Sequence, residues 1–161
     1  MASGVRVEGY QARQGEDTGT SRNVVSPGYF HTVGITVVLG REFEERDRAG
    51  APKVAVVNEA FVKRYFHGQN PLGRKLSFGG PKDVFDIEVV GVVIDQKNAA
   101  LREETKEFAY TLYTQAEDLP PLTFYLLTDR GEAALGPEVR RMVRELDADL
   151  PLFRLQTVAA R

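Results

Sequence analysis

Val5 and Val7 alternate with Arg6 and Glu8 and predict a short strand ending near Tyr10. Residues 11–22 are polar, with Gly, Thr and charged side chains, and read as a loop or mobile arm. Asn23-Val24-Val25 is a brief apolar run. Ser26-Pro27 after it predicts a helix start, because the serine hydroxyl can accept an orphan backbone N–H and proline tolerates the first helical position. Tyr29, Phe30 and Val33 share one side of that helix, and Gly34 stops it. Ile35 to Leu39 is largely β-branched and predicts a strand closed by Gly40. Asn23 to Leu39 therefore reads strand, helix, strand.

A charged stretch, Arg41 to Arg48, leads through Ala49-Gly50-Ala51-Pro52 into a second group of elements. Val54 to Val57 is continuously apolar, as in a strand covered on both faces. Asn58 is the expected N-cap of a helix carrying Ala60, Phe61, Val62 and Tyr65 and ending near Gly68. Leu72, Leu76 and Phe78 share one parity, which predicts a half-exposed strand, and Gly79 to Asp83 a turn. Ile87 to Ile94 is the most strand-like run, and Phe108 to Tyr113 predicts another strand beyond a charged loop. Asp118 to Pro121 is a break, followed by an expected strand from Leu122 to Thr128. Leu135, Val139, Met142, Val143 and Leu146 then recur at helical spacing, with Pro137 near the first turn. Leu152-Phe153-Arg154-Leu155 begins a last strand, which makes a further strand–helix–strand unit. The fold class expected is mixed α/β.

Composition narrows the function classes. The chain has 161 residues, 42% of them hydrophobic, enough for a compact fold. Its net charge of -2 lacks the cationic surplus that phosphate-backbone binding exploits, so no nucleic-acid partner is expected. Cysteine is absent, which excludes a disulfide framework and a Cys-based zinc site. No stretch approaches the roughly 20 apolar residues that span a bilayer, and Met1-Ala2-Ser3-Gly4 opens no signal-peptide core.

No catalytic constellation assembles from these residues. His31 and His67 lie on different short helices without ligand-like spacing, so no metal site is expected. Glu42, Glu44, Glu45 and Asp47 form one acidic group and Glu103 and Glu104 another; arginine neighbours make both read as solvated loop faces. Gly79-Gly80-Pro81-Lys82 lacks the spacing of a phosphate loop, and Ser26 sits in no nucleophile elbow. Arg140, Arg141 and Arg144 form a basic strip that reads as a solvated face. Tyr29, Phe30, Phe61, Tyr65 and Phe66 are spaced to pack against a sheet, and nothing calls for a cofactor.

The order of segments carries more than any one residue. Val25-Ser26-Pro27-Gly28-Tyr29-Phe30, Gly34-Ile35 and Leu39-Gly40-Arg41-Glu42-Phe43 resemble the extracytoplasmic core domain of MacB-like ABC transporter permeases, the MacB/FtsX superfamily. The resemblance continues through Val56-Val57-Asn58-Glu59-Ala60-Phe61, Arg64-Tyr65-Phe66 and Asn70-Pro71-Leu72-Gly73-Arg74-Lys75-Leu76. Val89-Val90-Gly91-Val92-Val93, Leu101-Arg102-Glu103-Glu104 and Leu146-Asp147-Ala148-Asp149-Leu150-Pro151 complete it, from about Val24 to Val158. It implies a porter-like lobe of β-α-β units, residues 1–43 and 118–161, flanking an inserted small mixed α/β lobe, residues 44–117. It also implies that the porter-like lobe is incomplete at its N-terminus.

The same resemblance implies a non-catalytic domain on the periplasmic side of the cell inner membrane. There it would couple transmembrane helix motion to work outside the membrane, such as peptide or antibiotic export or lipoprotein handling. Implied partners are the transmembrane helices of its own permease chain and a separate or fused ATPase domain acting from the cytoplasm. A periplasmic adaptor or a second permease copy would be further ones. Two other classes compete: an independent extracytoplasmic ligand-binding or sensor module, which needs a concave apolar pocket, and an enzyme, which needs a polar catalytic cleft.

Overall fold

The computed structural model describes residues 2–79, 84–95, 106–116, 122–151 and 156. They fall into two units, Met1–Tyr125 and Leu126–Arg161. The first unit holds eight strands: β1 (Ala2–Gly4), β2 (Arg6–Val7), β3 (Gly19–Val25), β4 (Val37–Gly40), β5 (Lys53–Asn58), β6 (Lys75–Ser77), β7 (Ile87–Val93) and β8 (Phe108–Leu112). Two helices, α1 (Tyr29–Val33) and α2 (Glu59–Phe66), accompany them, and a 3-10 turn spans Tyr113–Gln115. The second unit contributes α3 (Glu132–Leu146). No helix among the described residues is long and apolar enough to cross a membrane.

All eight strands join one mixed sheet in the order β1-β3-β8-β5-β7-β6-β2, with β4 also paired to β7. β5 runs parallel to β7 and antiparallel to β8, while β3 runs parallel to β8. β1 and β2 stand at opposite ends of this order, yet only Val5 separates them. One extended stretch therefore pairs with β3 through its first half and with β6 through its second, which curls the sheet on itself. Such curling gives both ends of the strand order a partner through one shared stretch, while β4 pairs with β7 alone. Val5 is buried at the junction, and its N–H donates to the Thr18 carbonyl at 3.0 Å.

Two apolar cores occupy the two faces of the sheet. Ala55 and Val57 of β5 enter one, with Phe61, Tyr65 and Phe66 of α2; Val54 and Val56 enter the other, with Phe30 of α1 and Phe43. The strand is buried on both sides, as its continuous apolar run predicts. In β7 the register against β5 shifts between Ala55 and Val56, and Val92 returns to the face of Ile87 and Val89. This is the parity change that one extra residue produces. Gly91 sits beside the bulge, where a Cβ would lie 2.0 Å from the Arg41 carbonyl oxygen, so only glycine lets β4 approach.

α2 begins where the sequence places it. The Asn58 side-chain oxygen accepts from the Phe61 N–H at 3.1 Å and from the Phe108 N–H at 2.9 Å. Its amide group donates to the Lys106 carbonyl at 2.9 Å, and the residue is 2% exposed. Beyond β4, Arg41 grips Asp47 through both terminal nitrogens, at 2.6 and 2.9 Å, and the Glu44 N–H donates to the same carboxylate at 2.9 Å. Burial opposes ionisation of Asp47, but the Arg41 and Glu44 hydrogen bonds outweigh it and hold the carboxyl below its ordinary range.

Several sequence expectations need correction. β3 starts at Gly19, so Gly19 to Arg22, expected in a loop, are strand because β1 and β8 supply partners. Ser26 does not cap α1. Ser26-Pro27-Gly28-Tyr29 is a tight turn closed by the Tyr29 N–H on the Ser26 carbonyl at 3.3 Å, and the left-handed Gly28 (φ 77) is the N-cap instead. Proline followed by a positive-φ glycine is the signature of a type II turn. The Ile35–Leu39 strand is displaced to Val37–Gly40, where it pairs antiparallel with β7. The Asp47 carboxylate is buried against Arg41 rather than solvated.

Leu122 to Thr128 forms no strand: alternation alone does not pair backbone groups, and Phe124 is left 82% exposed. α3 forms over the expected range, with Pro137 inside it, but Leu146 on its apolar stripe is 83% exposed. Most of the Gly79–Asp83 turn, the Glu103–Glu104 pair, the Asp118–Pro121 break and the Leu152–Leu155 strand lie outside the described residues. Strands from 2–40 and from 53–112, drawn from both lobes expected from the sequence, hydrogen-bond into the same sheet.

Asn58→Ala leaves two N–H groups and one carbonyl without partners in a buried place and is expected to cost about 3 kcal/mol, read as a lower urea midpoint at unchanged slope. Asp47→Asn is expected to cost roughly 2 kcal/mol at neutral pH. The folded carboxyl titrates below the unfolded one, so the pair's contribution is complete above the unfolded value. It fades as pH falls through the folded value. The stability gap between wild type and Asp47→Asn should therefore close in acid; a gap constant with pH would exclude the charged pair as its source.

Candidate functional site

Beyond the Asn58 and Arg41–Asp47 networks, three polar groups and one aromatic group stand out among the described residues. At the first, the end of β7 meets the start of α2: the Ala60 N–H donates to Asp95 Oδ1 at 2.9 Å and the Asp95 N–H donates to Glu59 Oε2 at 3.3 Å. Two carboxylates thus satisfy orphan donors at and near a positive helix end. This exchange uses their hydrogen-bonding capacity for local structure.

The second centres on Arg64, on the outer side of α2. Its Nη1 donates to Glu107 Oε1 at 3.0 Å, its Nη2 donates to the Asp17 carbonyl, and Glu16 Oε1 lies 3.6 Å away. The Tyr10 hydroxyl donates to Glu16, and the Tyr10 ring meets the Tyr65 ring edge-on at 5.1 Å. That hydrogen bond is the leading reason the Tyr10 phenol titrates above, and the Glu16 carboxyl below, its usual range. Burial pushes Tyr65 up to about 12, so its hydroxyl stays protonated and donates to the Thr18 carbonyl at 3.3 Å.

The third is the aromatic group on the other face. Tyr29, Phe30, Phe43, Phe108 and Tyr110 pack ring against ring, and the Tyr125 ring meets Tyr29 edge-on at 5.7 Å. Burial raises the Tyr110 hydroxyl far above its ordinary value and raises Tyr29 less. This is packing, as the sequence spacing of Tyr29 and Phe30 predicts.

The fourth is one face of α3, where Pro137, Arg140, Arg141, Arg144 and Glu145 line a shallow cleft. Arg141 is paired with Glu145 at 2.9 Å, one helical turn on. All three arginines are exposed.

Sequence reasoning named no catalytic, cofactor-binding or metal-ligating residue, and the structure scatters the groups it weighed. His31 lies in the last turn of α1, and His67 is the left-handed residue ending α2, with both side chains exposed. Glu44 is drawn to Arg46 at 2.7 Å and Asp47 to Arg41. Among the described residues no three His, Asp or Glu side chains gather as metal ligands would. The Arg64 junction escaped the sequence reading, because its partners lie 43 to 48 positions away along the chain. Of the family-like segments, Arg64-Tyr65-Phe66 is the one that contributes to it.

The comparisons with known proteins bear on this arrangement. The family model described as MacB-like periplasmic core domain matches residues 2–142. The periplasmic region of MacB from Actinobacillus actinomycetemcomitans superposes with a TM-score of 0.64 at 20% identity, over 91% of this chain and 63% of that one. A domain of a putative permease protein from Porphyromonas gingivalis superposes with a TM-score of 0.59 at 14% identity, over 99% of this chain and 76% of that one. This chain thus spans less than two thirds of the MacB periplasmic region. No curated protein gives a significant match. The mixed α/β fold with its curled sheet is that of the MacB periplasmic region. With a family model covering residues 2–142 and that fold in agreement, the chain belongs to the MacB-like periplasmic core domain family.

Proposed function

We propose that this chain is a non-catalytic extracytoplasmic domain of an ABC transporter permease, held on the periplasmic side of the inner membrane. It converts movement of transmembrane helices into movement of an external surface. The family match over residues 2–142 carries this reading. The geometry supports it through stiffness: the sheet closes on itself, both faces are packed, and the central polar side chains are spent on holding strands in register. A close-packed body transmits displacement because it deforms little. Its partners on this reading are the transmembrane helices of its own chain and a cytoplasmic ATPase. Export of peptides or antibiotics and lipoprotein handling are the classes of work it serves.

Coupling demands two arrangements whose balance the nucleotide state biases. These 161 residues contain no cysteine, so within the domain an introduced one is the only labelling site. In the full permease with its ATPase, spin labels at Ala49→Cys and Lys63→Cys should keep one separation with and without ATP. Distances from either label to one on a transmembrane helix should change between the two states. An unchanged domain-to-membrane distance across the ATP cycle would defeat the mechanical reading, and turnover of a small molecule by the purified 161-residue chain would defeat the non-catalytic one.

A further inference from the structure

The loop between β2 and β3, residues 8–18, runs across α2 with Gln11 to Gly15 exposed to solvent. Its far half is held to α2 by Arg64 and Tyr65, through the Asp17 and Thr18 carbonyls and the Glu16 carboxylate. Tyr10 adds a ring contact to Tyr65 and a hydroxyl bond to Glu16. The same Arg64 guanidinium also binds Glu107, the residue before β8. Glu107 is in turn tied to the root of the loop: its carbonyl accepts from Thr20 Oγ1 at 2.9 Å and from the Ser21 N–H at 3.0 Å. Glu107 thus has its carboxylate on α2 and its carbonyl on β3.

We propose that Arg64 and Glu107 form a latch that couples the 8–18 strap to the start of β8, so that loosening either one loosens the other. The physical basis is the shared guanidinium. Glu107 holds one nitrogen of its planar fork and the Tyr65 ring lies beneath it, so losing Glu107 returns rotamer freedom to the Arg64 stem at the strap's expense. Coupling of this kind is reciprocal, since each contact biases the same two-state element. A strap so connected carries an event on the outer surface into β8, which lies beside the central strand β5. The latch does not rest on the transport reading, because it concerns this chain's own equilibrium.

Amide hydrogen exchange on the full 161-residue chain tests it. Glu107→Gln alters no residue of the strap, and Glu107 is partly exposed, so the fold is expected to survive with an unchanged far-ultraviolet spectrum. The expected result is exchange about tenfold faster at Gly19, whose N–H lies in the strap's root, together with faster exchange at Phe108 and Ala109. Glu16→Gln should in turn speed exchange at Phe108 and Ala109 without touching β8. Arg64→Met should free both regions, and Glu107→Gln added to it should do nothing more to the strap. Changes confined to the mutated side in both single variants would overturn the latch, as would additive effects of Arg64→Met and Glu107→Gln on the strap.

Discussion

The centre of the sheet is organised around the carboxamide of Asn58. It ends β5, opens α2 and bonds the chain on both sides of the point where β8 begins, at Lys106 and Phe108. β8 pairs with β5 in one register only, Ala55 opposite Thr111 and Val57 opposite Ala109. A slip by one residue would turn Tyr110 and Leu112 out of the core they share with Val54 and Val56. The carboxamide opposes that slip, because every alternative register strands buried donors and acceptors at a cost of about 1–3 kcal/mol each.

Closure of the sheet extends the same logic to its rim. β1 and β2 are three and two residues long, too short to be stable as isolated pairs. They persist because Val5 between them is buried and because each half has a different, longer partner strand or turn to lean on. The bulge in β7 makes room for β4 on the same edge that β6 occupies further back. Gly91 is the device that permits this, since any side chain there would meet the Arg41 backbone. Backbone proximity and side-chain burial therefore cooperate: the curl brings the strands close, and small or β-branched residues let them stay close.

Local signals were legible wherever they agreed with their surroundings. Val54 to Val57, Ile87 to Val93 and the Asn58 cap each state their role in adjacent residues, and the structure adds only partners. Ser26 misled because a cap and a type II turn draw on the same residues, and the choice depends on the left-handed Gly28 that follows. Gly19 to Arg22 look like loop because their strand identity comes from Ser21 meeting Phe108 and Arg22 meeting Ala109, 87 positions away. Asp47 looked solvated beside three other acidic residues, yet six positions separate it from the arginine that buries it. Of the polar junctions, the one at Arg64 was invisible for the same reason: its geometry exists only after the sheet has formed.

The two units present opposite physical situations. In Met1–Tyr125, large apolar side chains such as Phe30, Phe61 and Leu112 are wholly enclosed. In Leu126–Arg161, Leu127, Met142 and Leu146 remain in water although the stripe on α3 has the spacing of a core-facing helix. Along its exposed side Arg141 pairs with Glu145 one turn on, a contact that contributes only tenths of a kcal/mol. The stripe on α3 is covered unevenly, with Leu135, Val139 and Val143 half-buried and Met142 and Leu146 exposed, whereas the curled sheet encloses both of its apolar cores.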